Sequence, residues 1–152
     1  MMTTYARRLV LLAGMALLAA VPARAQHGFG VRGGLSVDPD QAYIGAHVDL
    51  GPLVGSLWFR PNIEIGFGDD VTTFAFNGEV AWWFPRWKSG WRIYAGGGPA
   101  LNIYDSEHGG SDSRAGLNLL MGFAHKGGFF AEVKVGAFDS PDFKLGMGFT
   151  FH

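Results

Sequence analysis

Lys144-Leu145-Gly146-Met147-Gly148-Phe149-Thr150-Phe151 is the stretch that decides the fold. On an extended strand Leu145, Met147, Phe149 and Phe151 point one way, and Lys144, Gly146, Gly148 and Thr150 point the other. Alternation with period two marks a β-strand whose two faces meet different surroundings.

Working back from this segment, seven more stretches show the same alternation, at 29–37, 42–50, 57–67, 72–84, 91–104, 113–123 and 128–138. No stretch carries a helical period. Most segments reach the roughly 9–11 residues that a tilted strand needs to cross a hydrocarbon layer. One face of each is apolar, as with Val31, Leu35 and Val37, or Leu117, Leu119, Met121 and Phe123. The opposite face carries nearly all mid-strand charge: Arg32, Asp49, Arg60, Glu64, Glu79, Arg92, Glu132, Lys134 and Lys144. It also carries glycines such as Gly34, Gly45, Gly96, Gly98, Gly146 and Gly148. Glycine weakens a strand and packs nothing, so a water-facing surface would favour Thr, Lys or Glu instead. Glycine beside long charged side chains suits a narrow interior. The polar face is therefore expected inside and the apolar face on lipid. The fold expected is an all-β, eight-stranded antiparallel up-and-down transmembrane β-barrel. Pro61 and Pro99 fall inside expected strands, where proline cannot donate to a ladder.

The N-terminus reads as a secretory signal: Arg7 and Arg8, an apolar run from Leu9 to Val21, then Ala23-Arg24-Ala25 as a small-x-small cleavage site. That run is too short for the ~20 residues of a transmembrane helix. Residues 1–25 are expected to be the signal and 26–152 the barrel domain. There is no cysteine among the 152 residues, so disulfides and thiolate chemistry are excluded. Without Arg7, Arg8 and Arg24, nine basic residues face 13 acidic ones, which argues against nucleic-acid binding.

Charge sorts by end. The connections after the odd-numbered expected strands hold Asp38, Asp40, Asp69, Asp70, Asp105, Glu107, Asp112, Asp139 and Asp142. The other connections hold Arg86, Lys88, His125 and Lys126 and no acid. The acidic end is read as solvated loops, with divalent-cation binding as the alternative. No loop has EF-hand spacing, and neither a metal site nor a cofactor is expected.

Folding the third and fourth segments about Asp69 and Asp70 places Arg60 opposite Glu79 and Asn62 opposite Asn77. His47 and Asp49 should approach Arg60, and Arg92 should approach Glu79. A salt-bridge and hydrogen-bond filling of the lumen is the expected role. A catalytic His47–Asp49 dyad lacks a nucleophile beside it. His108 and Ser111, in what reads as the longest loop, lack a strand to fix them. Gly96-Gly97-Gly98 lacks the Lys and helix of a phosphate loop.

The ending polar-x-Gly-x-x-aromatic-x-aromatic, carried by Lys144, Gly146, Phe149 and Phe151, resembles the insertion signal of bacterial outer-membrane barrels. With it, the whole chain after residue 25 resembles the small eight-stranded outer-membrane barrels, such as OmpX and the OmpA membrane domain. The resemblance implies a monomer in the bacterial outer membrane, inserted by the outer-membrane assembly machinery and surrounded by lipid and lipopolysaccharide. Such proteins serve as structural proteins, adhesion factors, small-solute channels or lipid-modifying enzymes. A structural, non-enzymatic role is expected here, with a narrow channel or ligand-binding barrel second and an enzyme third.

Overall fold

The computed structural model describes residues 28–152. The expected signal peptide, its cleavage site and Gln26 lie outside the described residues. Nine strands follow one another: β1 (Gly28–Val37), β2 (Gln41–Asp49), β3 (Pro52–Val54), β4 (Leu57–Phe67), β5 (Val71–Trp83), β6 (Trp91–Ser106), β7 (Gly110–His125), β8 (Phe129–Phe138) and β9 (Phe143–Phe151). All pairings are antiparallel, in the order β2-β1-β9-β8-β7-β6-β5-β4, and β2 pairs with β4 to close the sheet on itself. The fold is a closed eight-stranded up-and-down barrel, with β3 as a short addition to β4.

The alternation sets the wall. Leu145, Met147, Phe149 and Phe151 are outside and exposed, whereas Lys144, Gly146 and Thr150 are buried inside. Leu35, Ile44 and Met121 stand more than half exposed, whereas Lys134, Glu64 and Glu79 are each only 2% exposed. The molecule thus has its charge in the middle and its hydrocarbon outside, the inverse of a water-soluble barrel.

The inner glycines are needed for contact as much as for room. A Cβ on Gly122 would stand 2.5 Å from the phenol of Tyr94, and Gly148 similarly receives the ring of Phe130. On Gly34, Gly45 and Gly98 the added carbon would strike a carbonyl oxygen of the next strand. The strands approach one another too tightly there for any side chain.

Three local expectations change. The connection after Asp49 is not a plain loop: β3 pairs back on β4, Pro52 with Trp58 and Val54 with Leu57. The connection expected at 104–112 shrinks to 107–109, because β6 and β7 run on to the partners Ser106 and Gly110. Ser111 is therefore on a strand, its hydroxyl 3.3 Å from Asp105. The prolines sit where a ladder stops. The β2–β4 ladder runs from Ala42 and Phe67 to His47 and Asn62. Beyond it Leu50 N–H donates to Phe59 O, and Phe59 N–H donates to Gly51 O, two residues against one, which is a bulge. Since Phe59 N–H faces β2, the nitrogen of Pro61, two residues on, faces the same way, into this irregular interval. The β5–β6 ladder is likewise interrupted between the partners Asn77 and Ala100 and the partners Val80 and Gly97, the interval that contains Pro99.

Candidate functional site: a charged lumen

Inward side chains fill the barrel in tiers. At the end where β5 leaves and β6 enters, Trp83, Tyr94, Trp58 and Leu120 form an apolar cluster. Arg92 stacks on Trp83, its guanidinium carbon 3.8 Å from the ring centroid. Arg60 lies next, 5.2 Å from the Tyr94 ring and 5.3 Å from that of Phe130. Arg60 Nε approaches Asp49 Oδ1 to 2.6 Å, and its Nη2 reaches His47 Nε2 at 3.1 Å.

The middle tiers hold acids and cations in equal number. Arg32 pairs with Glu132 at 2.7 Å and with Glu64 at 3.6 Å. Lys134 bonds to Glu64 at 3.0 Å and to Glu79 at 2.8 Å. Lys144 bonds to Glu64 at 2.6 Å. The Tyr94 hydroxyl donates to Glu132 at 2.7 Å. An amide chain completes the layer: Asn62 donates to Glu79, Asn77 to Asn62, and Asn118 to Asn77 and Glu79. The ion pairs and the tyrosine bond join β1 and β6 to β8, and β4 to β8 and β9, none of which are neighbours in the sheet. They cross the lumen.

The connection 139–142 turns into the opposite mouth. Phe138 has φ +60° and is 87% exposed, so the residue due to point inward is thrown out and the chain after it dips in. Ser140 and Pro141 are buried above Gly116 and Gly136. Asn102 and the Tyr104 hydroxyl both donate to the Asp139 carbonyl, at 3.1 and 2.8 Å.

The structure thus places Arg32, His47, Asp49, Arg60, Glu64, Glu79, Glu132 and Lys134 in the lumen and buried, with Arg92 half-buried at its mouth. Two of the expected pairings change. Arg60 and Glu79 are Cα partners, but their charged ends part: Arg60 goes to Asp49, and Glu79 goes to Lys134. Arg92 goes to the Trp83 ring and not to Glu79. In both cases an aromatic face draws the flat guanidinium towards the mouth. Lys144, read as part of a terminal signal, also belongs to the lumen network. Sequence reasoning passed over Tyr94, Trp83 and Phe130, although each shares strand parity with an inward charge: Arg92, Glu79 and Glu132.

The His47 side chain carries no catalytic geometry. Arginine only donates, so Nε2 of His47 is an acceptor for Arg60, and the Thr150 hydroxyl competes for it at 3.0 Å. Asp49 is held by Arg60 and not by the imidazole, whose Nδ1 has no partner among the described residues. Among the described residues, no group of three or more His, Asp or Glu is placed to hold a metal ion.

No protein-family model matches this chain, and no curated protein matches it. A solved structure does: the N-terminal β-barrel domain of Pseudomonas aeruginosa OprF, 17% identical, over 83% of this chain and 98% of that one, with a TM-score of 0.58. The fold is similar to that of the OprF barrel. At this identity the likeness carries the architecture and nothing about activity. It agrees with the resemblance to small eight-stranded barrels read from the sequence.

Proposed function

We propose that the protein is a structural, non-enzymatic barrel of the bacterial outer membrane whose lumen is closed by its own ion pairs. What carries this reading is the set of bonds that cross the lumen, above all Glu64 receiving Lys134 and Lys144 from the far wall. Eight strands enclose little more than the volume of their inward side chains. Here those side chains are long, buried and joined to one another. The outer face supports the membrane setting: exposed Leu, Ile, Val, Met and Phe cover the wall, far beyond the patch of a few hundred Å² normal on a soluble monomer. Aromatic side chains such as Phe84, Trp87 and Phe143 near the rims fit the interfacial girdles of such barrels.

Both described termini lie at the rim with the basic connections, so the acidic connections face outward if the termini are periplasmic. Lipid and lipopolysaccharide are then the surroundings, and the assembly machinery reads the terminal strand. The closed sheet satisfies its own edges, which suits a monomer.

The test is single-channel recording of refolded protein in planar bilayers. The expected result is membrane insertion without stable conductance steps. Reproducible, ion-selective conductance of the unmodified protein would replace this reading with that of a narrow channel.

A further inference from the structure

The lumen's charges do not balance along its length. In the middle, Arg32, Lys134 and Lys144 meet Glu64, Glu79 and Glu132, cation for carboxylate. At the basic mouth the count fails. Arg60 and Arg92 both lie over the Trp83 ring, 5.5 and 3.8 Å from its centroid, and Arg86 stands on the connection between Trp83 and Arg92, three guanidiniums near one carboxylate, that of Asp49. Arg60 already holds that carboxylate at 2.6 Å. Arg86 turns to its own connection and donates to the Gly90 carbonyl at 2.7 Å. Among the described residues no carboxylate lies within salt-bridge distance of Arg92, which is half-exposed at the mouth.

What Arg92 does have is a flat aromatic support. Its guanidinium lies 3.8 Å from the centroid of Trp83 and 5.9 Å from that of Trp58. Stacking covers a face of the guanidinium and leaves its edge, where the N–H groups are, for an acceptor. Two buried donors here have no hydrogen-bond partner among the described residues, Arg92 Nε itself and the indole Nε1 of Trp83. A buried donor without an acceptor is costly, and here two stand on side chains that stack on each other. Lys88 and Lys126, exposed on the connections of the same rim, add positive charge, and no acid stands on those connections.

We propose that the basic mouth of the barrel is an oxyanion site for a phosphate group, which the fork of Arg92 and the indole N–H of Trp83 hold while Arg86 supplies a second cation. Arginine matches phosphate oxygens with two parallel hydrogen bonds, and the stacked ring fixes the fork before the ligand arrives. Free phosphate and a phospholipid headgroup offer the same group. The headgroup is within geometric reach, because exposed Trp87 and Phe84 flank the mouth on the outer wall.

Calorimetric titration of full-length refolded protein with inorganic phosphate tests this, in phosphate-free maltoside micelles at constant ionic strength set with chloride. The expected result is saturable binding at one site. Arg92→Gln should weaken it by about tenfold or more, the scale of a lost hydrogen bond between charged groups. Arg86→Gln, in an exposed connection, should weaken it less. Arg114→Gln at the opposite rim should leave it unchanged. Repeating the titration in vesicles separates the sources. Loss of phosphate binding in phospholipid vesicles but not in vesicles of a phosphate-free galactolipid assigns the site to a headgroup, and retention in both assigns it to free phosphate. No saturable binding, or equal affinity in wild type, Arg92→Gln and Arg86→Gln, overturns the proposal. Binding in micelles does not depend on whether the lumen conducts.

Discussion

Lys134 on β8 and Lys144 on β9 are direct Cα partners, two like charges facing each other across one ladder. Such a pair is unfavourable by itself. Glu64, from the far side of the barrel, accepts from both and lies 3.6 Å from Arg32 as well. Glu64→Gln keeps the shape and leaves three buried cations short of a charge, so the expected loss is on the order of 3–5 kcal/mol. Urea unfolding in lipid vesicles measures it, and a variant as stable as wild type would remove Glu64 from the centre of the network. A second residue-scale prediction separates register from contact. In double-mutant cycles, Arg60→Met with Asp49→Asn should couple strongly, and Arg60→Met with Glu79→Gln weakly, although 60 and 79 are the Cα partners. The reverse order would mean that the guanidinium does not lie against Trp83 and Tyr94. Here the sequence is least informative. Strand parity says which residues point inward, and hairpin counting says which lie side by side. Which side chain crosses to which depends on strand tilt and on aromatic faces that draw arginines aside, and neither is written in spacing.

Among the elements, the strands were legible almost to their ends, because each has an apolar face that a one-residue slip would turn inward. The short β3 was not, since Pro52-Leu53-Val54 is too brief to alternate and forms only against β4. The two mid-strand prolines looked like conflicts because a sequence does not show where a ladder is interrupted. The structure puts Pro61 beside the Leu50–Gly51 bulge, so Pro61→Ala should change stability little. Ile63→Pro, two residues on in the regular β2–β4 ladder, removes a donor that is used and should cost about 3 kcal/mol or more. Equal unfolding midpoints in urea for the two variants would show that the ladder is not interrupted at Pro61. The inward dip of 139–142 also lay beyond sequence reading, as it depends on Phe138 taking a positive φ that few large side chains adopt. Phe138→Gly should relieve that conformation and stabilise the barrel by about 1 kcal/mol. A loss of stability would show that the exposed ring contributes more than its backbone costs. At the terminal strand, Phe149 and Phe151 pack on each other at 5.0 Å, and Phe151 stacks on Phe29 of β1 at 5.1 Å, across the seam that closes the barrel. Changing both to Ser should leave export intact and reduce outer-membrane insertion, read by fractionation and protease resistance. Normal insertion would leave these rings a seam contact alone.

At the scale of the whole molecule, one physical asymmetry organises everything else: charge inside, hydrocarbon outside. It explains why the chain can carry so many inward glycines and why ion pairs span the lumen. The absence of cysteine makes the asymmetry directly measurable, because every introduced thiol is unique. Single cysteines placed in turn at positions 145 to 150 of the last strand, labelled with a nitroxide after refolding into vesicles, report lipid contact through relaxation by oxygen, which concentrates in the bilayer. The account predicts high oxygen accessibility at 145, 147 and 149 and low accessibility at 146, 148 and 150. Uniform accessibility, or the opposite alternation with the apolar face shielded, would contradict a lipid-facing wall and return the chain to the class of water-soluble barrels.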